Sequence, residues 1–131
     1  MTRARRIGLI AAAIIAAFLV GFFWQFVRAE QLSRALDAAQ RQLAVTRAEA
    51  TLGAAVIEAQ RGSYETSRGL ASDFFTGVQR NVAQQQGGTP PAFTTILNQR
   101  DSVITLLSRS DSQAVGMLSR MFVEYRTAVG R

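Results

Sequence analysis

The hydrophobic pattern divides the chain sharply. From Ile7 to Trp24 every residue is apolar or glycine. Continued through Gln25 to Val27, the run holds about 21 residues, or roughly 31 Å at the helical rise, the thickness of a bilayer core. This predicts a transmembrane helix over 7–27, preceded by a basic leader over 1–6 and followed by an extramembrane domain over 28–131. A cleaved signal peptide is the rival, with Arg3, Arg5 and Arg6 as its basic region and Val27-Arg28-Ala29 as its cleavage site. The apolar run exceeds the roughly 7–15 residues of a signal core, which favours an uncleaved anchor.

Beyond the anchor the period changes. Proline is absent from Met1 to Thr89 and glycine from Phe22 to Leu52, so no punctuation stops the helix at the membrane surface. Leu32, Leu36, Ala39, Leu43, Thr46, Ala50, Gly53 and Ile57 follow a 4-3 spacing, the seam of a helix over about 29–60 that packs on others. At Gln60-Arg61-Gly62-Ser63, Gly62 suits a left-handed helix end and Ser63 suits the next cap. A second helix over 64–86 presents Leu70, Ala71, Phe74, Phe75, Val78 and Val82 on one face. Folding about Gly62 sets Gly53 opposite Ala71 and Ala55 opposite Gly69.

Gln84-Gln85-Gln86-Gly87-Gly88-Thr89-Pro90-Pro91 is the plainest loop, with Thr89 as cap and Pro90 opening a third helix over 91–109. That helix carries Phe93, Ile96, Leu97, Val103, Ile104 and Leu107. Ser110-Asp111-Ser112-Gln113 then reads as a capping box for a fourth helix over 111–129, with Val115, Leu118, Phe122 and Tyr125 on its inner face. The expected fold class is all-α: one transmembrane helix continuing into an antiparallel four-helix bundle. Because the first extramembrane helix is the longest, the stretch from about Ala29 to Arg41 is expected to stand as an uncovered stalk. Its seam of Leu32, Leu36, Ala39 and Leu43 would then meet a second copy or another membrane subunit.

Composition removes whole classes of chemistry. With neither cysteine nor histidine there is no disulfide, thiolate, Cys-His pair, serine triad or zinc site of the usual kind. The remaining carboxylates are spread widely, so no catalytic residue, metal ligand or cofactor is assigned, and an enzyme is not expected. All 15 basic residues are arginine, and half of the formal +6 comes from Arg3, Arg5 and Arg6. Acids scattered among the other arginines argue against a nucleic-acid partner.

Three arginines packed into the leader, against a sparser set at Arg28, Arg34, Arg41 and Arg47, predict an N-terminus inside and a domain outside the cytoplasmic membrane of a bacterium. On the anchor, Ala13, Ala17 and Gly21 share a face at intervals of four, suited to a close-packed partner helix. Phe22, Phe23, Trp24 and Phe26, with Phe18 before them, form an aromatic belt at the outer interface with lipid.

Glu58-Ala59-Gln60-Arg61-Gly62-Ser63-Tyr64-Glu65-Thr66, followed by Phe74-Phe75, resembles the hairpin signature of the third CHASE class of extracellular sensory domains. The resemblance covers fewer than about twenty residues and rests on the Gln60-Arg61-Gly62 step with Thr66. Glu58 sits one residue closer to the arginine than the family's acid, and Ser67 replaces its usual glycine. The resemblance implies a membrane-flanked helical bundle, and a ligand pocket between the helices lined by inward arginines such as Arg61 or Arg100 would favour a sensory role. Such sensors add a second crossing and a signalling domain, whereas this sequence ends at Arg131. Two expectations of function follow: a non-enzymatic accessory subunit of a larger membrane complex, of the energy-transducing photosynthetic or respiratory kind, or an extracytoplasmic sensory module without its own transmitter. A membrane-tethered assembly factor is a variant of the first.

Overall fold

The computed structural model describes residues 3–85 and 87–130. Among them the only regular elements are five helices: α1 (Arg3–Gln60), α2 (Tyr64–Ala83), α3 (Pro91–Asn98), α4 (Arg100–Ser108) and α5 (Gln113–Ala128). They fall into two compact units, Met1–Gln40 and Arg41–Arg131. The described part of the first unit is α1 alone, and all of its described side chains are exposed. One window of α1 has a mean hydropathy of 2.5 with 0% of its residues buried, making this helix long and apolar enough to cross a membrane.

The second unit has one core. Ala48, Leu52, Ala55 and Ala59 of α1 meet Ala71, Phe74, Phe75 and Val78 of α2, Ile96 of α3, Val103 and Leu107 of α4, and Ala114, Leu118, Met121 and Tyr125 of α5. At its centre the rings of Phe74 and Tyr125 stack edge to face at 5.3 Å, with Phe75 edge-on to Phe74 and Phe93 edge-on to Tyr125. Phe74, Phe75 and Tyr125 are buried, and each contributes on the order of 2–3 kcal/mol through removal of apolar surface from water, whereas Phe93 is half-buried. The expected face of α2 is the observed one, with Leu70 and Val82 half-buried at its margins. In α5 the line 114-118-121-125 is buried instead of 115-118-122-125, leaving Val115 and Phe122 half-buried.

The α1 seam differs more. The buried line is 48-52-55-59, whereas Ala50 is exposed and Ile57 is 49% exposed. Alanines occupy every side of this helix, so the few large side chains dominate the pattern without marking the packed face. What selects that face is the fit with α2: Ser67, fully buried, donates its hydroxyl to the Ala55 carbonyl at 2.7 Å. Ala55 thus lies against Ser67 and not Gly69, which is exposed. Gly53 faces α5 rather than Ala71, and a Cβ there would lie 3.4 Å from the Phe122 ring.

Gly62 does end α1. Its φ of 82° lets the Ser63 amide reach the Glu58 carbonyl at 2.9 Å and its own amide reach Ala59 at 3.1 Å, the paired bonds of a Schellman turn. Ser63 then occupies the N-cap of α2 without a side-chain capping bond. The same turn recurs after α4, where Asp111 bonds to Leu106 at 3.0 Å and Ser110 to Leu107 at 3.1 Å. Here the left-handed residue is Ser110, at φ 53°. Ser110 is therefore part of a helix end, not of a capping box. The α5 amide of Gln113 is met by Asp111 Oδ1 at 2.9 Å.

Two other boundaries move for local reasons. Pro91, not Pro90, is the first residue of α3, because a residue before proline is pushed out of the helical region and Pro90 sits at ψ 142°. The expected third helix is also broken at Gln99, whose amide bonds to Ile96 at 3.1 Å in a tightened turn before α4 resumes. Its side chain donates to Glu124 of α5 at 2.8 Å. Gln86, the expected end of the second helix, lies outside the described residues.

Candidate functional site

The sequence-selected positions do not converge on one pocket. Arg3, Arg5 and Arg6 occupy the first turns of α1 and are exposed. Ala13, Ala17 and Gly21 are exposed too, and a Cβ at Gly21 would meet nothing within 4 Å. Phe22, Phe23, Trp24 and Phe26 are all more than three-fifths exposed, Trp24 at 73%. Large aromatic surface left open over consecutive turns is stable only in contact with apolar surroundings.

Leu32, Leu36 and Ala39 are likewise exposed in the first unit, Leu32 at 72%. In the second unit Leu43, Ala50 and Ile57 recur at intervals of seven and also face outward. At 100° per residue, Leu43, Ala50 and Ile57 lie roughly 150–180° around α1 from the buried 48-52-55-59 line. Within the second unit, Leu43 and Ile57 are therefore on the side of α1 away from the core. A core-facing line of three alanines and one leucine could have been recognised from its 4-3-4 spacing, but alanine alone carries too little apolar area to stand out.

Arg61 and Gly62 form the hairpin end. Arg61 is exposed and pairs with Glu58 at 3.4 Å, a surface contact that adds little stability. It is not among the residues that line the groove between α2 and α4. Arg100 is: with Glu65, Arg68, Ser72, Asp101 and Ile104 it borders this concavity of about 650 Å³. The groove's lining is charge-balanced, with Glu65 and Asp101 against Arg68 and Arg100; Arg68 pairs with Glu65, and Arg100 donates to Gln79 Oε1 at 3.3 Å. Its polar groups offer hydrogen bonds and two guanidinium forks, but no nucleophile activated by a neighbouring base. Among the described residues, no group of three potential metal-ligating side chains comes together.

Across the second unit from this groove, α5 crosses α1 through a small polar cluster. Glu49 pairs with Arg126 at 3.3 Å, and the Arg126 guanidinium lies 5.9 Å from the centre of the Phe122 ring that rests on Gly53. This arrangement was not signalled by the sequence, since Glu49 and Arg126 are far apart along it. It clamps the packing of α5 on α1 and leaves the outward face of α1 untouched. Comparison with protein-family models, curated proteins and solved structures finds no match.

Proposed function

We propose that this chain is a single-pass membrane protein whose helical domain is a non-enzymatic accessory subunit of a larger membrane assembly. The observation that carries this reading is the apolar stretch of α1 with 0% of its window buried. Among the described residues none of that window is buried, and lipid or neighbouring membrane helices are surroundings that would cover it. The run is also longer than a signal-peptide core, which supports retention of the anchor. In this reading the second unit is an antiparallel four-helix bundle whose third member is broken into α3 and α4, and the Arg3, Arg5 and Arg6 leader remains in the cytoplasm. The absence of histidine and cysteine supports a binding role over catalysis.

Three measurements on the full chain test the proposal. Alkaline carbonate washing of membranes should leave the chain in the pellet, and release into the wash would refute the anchor. A reporter fused after Arg131 should be active outside the cytoplasm; activity only inside would reverse the orientation. Gentle detergent extraction should recover the chain in stoichiometric amount with one large complex. Recovery with a signalling protein instead would favour the sensory reading, which draws support from Arg100 at the α2–α4 groove.

A further inference from the structure

The four charges between Ala29 and Gln42 are not distributed around α1. Glu30, Arg34, Asp37 and Arg41 fall within an arc of roughly 60°, centred about 160° from the line of Leu32, Leu36 and Ala39. Arg34 and Glu30 pair with each other on that charged side at 2.5 Å. In heptad terms Leu32 and Ala39 are d positions and Leu36 is an a position. The flanking e and g positions are Ser33, Ala35, Gln40 and Gln42, all uncharged.

Charged e and g residues are the usual means by which paired helices choose a different partner. Here those positions between residues 33 and 42 carry no such code and no like-charge repulsion against an identical helix. Two copies held in one membrane by the same N-terminal span would also arrive parallel and with equivalent residues at equal height. A two-fold axis along the helices then matches each layer with itself, leucine with leucine at 32 and 36, and alanine with alanine at 39. Two leucines over this length are too few to hold two free soluble helices together. Confinement in a membrane removes much of the translational and orientational cost that such a short seam would otherwise have to overcome.

We infer that the outward stripe of α1 pairs with the same stripe of a second copy, forming a parallel, in-register homodimer seam centred on Leu36. This rests on the membrane-anchor reading above. It commits the stripe to self-association and leaves other surfaces of the domain for an assembly.

Because the chain contains no cysteine, each introduced thiol is the sole one. Single substitutions Leu32→Cys, Leu36→Cys and Ala39→Cys, and on the opposite side Glu30→Cys, Arg34→Cys and Asp37→Cys, would be made in the full chain. Membranes carrying each variant would be treated with a mild oxidant after an alkaline wash. The expected result is a disulfide-linked dimer at 32, 36 and 39, several-fold more abundant than at 30, 34 and 37. Retention in washed membranes with equal cross-linking at all six positions, with none, or with adducts to another protein would overturn the homodimer alone. Loss of the chain in the wash would instead remove the anchor, and the homodimer with it.

Discussion

The Tyr125 hydroxyl donates to the Val45 carbonyl at 3.2 Å, joining α5 to α1 across 80 positions of sequence. The ring itself is 2% exposed and edge-on to both Phe74 and Phe93. Hydrogen bond and ring contacts can be separated by substitution. Tyr125→Phe keeps the ring and leaves the Val45 carbonyl its helical partner, so a loss of only about 0.5–1 kcal/mol is expected. Tyr125→Ala empties the centre of the core and should cost about 3–5 kcal/mol. Thermal unfolding of the full chain in mild detergent, followed by circular dichroism, would distinguish them. Equal melting temperatures for the two variants would contradict this account of the core.

Ser67 tests how closely α1 and α2 approach. Its side chain is fully buried and its hydroxyl is bound to Ala55. Ser67→Ala removes one hydrogen bond and should cost about 1 kcal/mol. Ser67→Leu adds volume where the helices cross and should cost more, about 1–3 kcal/mol through overpacking. In the same melting experiment, a leucine variant as stable as alanine would mean that the crossing is loose.

Both Schellman turns predict a preference for glycine at the left-handed position. Ser110 holds φ 53°, a conformation in which a side chain is strained, so Ser110→Gly should raise stability by about 0.5–1 kcal/mol. Gly62→Ala should lower it by about 1–2 kcal/mol for the same reason. For a unit of this size, each kcal/mol corresponds to roughly 4–8 °C in melting temperature. A lower melting point for Ser110→Gly would show that the turn is not limited by backbone strain.

Gly53 is a helical glycine at which, among the described residues, an added Cβ would meet the Phe122 ring at 3.4 Å. That distance accepts a methyl group. Gly53→Ala is therefore expected to gain up to about 1 kcal/mol from helix propensity. Gly53→Leu must push Phe122 aside, disturbing its contact with Arg126, and should lose about 1–3 kcal/mol. Urea unfolding midpoints for the two variants should fall on opposite sides of the parent chain.

Much of this helical organisation is legible in the residues themselves. The apolar run from Ile7, the glycine at 62, and Phe74, Phe75 and Val78 at helical spacing act through local geometry that a sequence displays directly. The exposed stripe at Leu32 and Leu36 was legible as well. Its relation to the core was not, because Ala48, Ala55 and Ala59 become a packing face only once Ser67 and α5 lie against them. Gln99 and Ser110 were missed for related reasons. The first is held by Glu124 of α5, and the second adopts a left-handed conformation that serine reaches only when the surrounding turn imposes it. The α2–α4 groove depends on two helices meeting, so no single segment announces Arg68 and Arg100 as neighbours.

The separation of Val45 from Tyr125 also constrains the order in which the domain matures. During synthesis α1 and α2 emerge early and can close around Gly62 through neighbouring residues, a step with little chain to loop. The part of the inner wall that Leu118, Met121 and Tyr125 fill remains open to solvent until α5 follows α3 and α4. A ribosome paused before Gln113 would hold a hairpin with Phe74 and Phe75 uncovered, the state most exposed to aggregation or chaperone capture. Completion of the fold is thus timed by the delivery of the C-terminal helix.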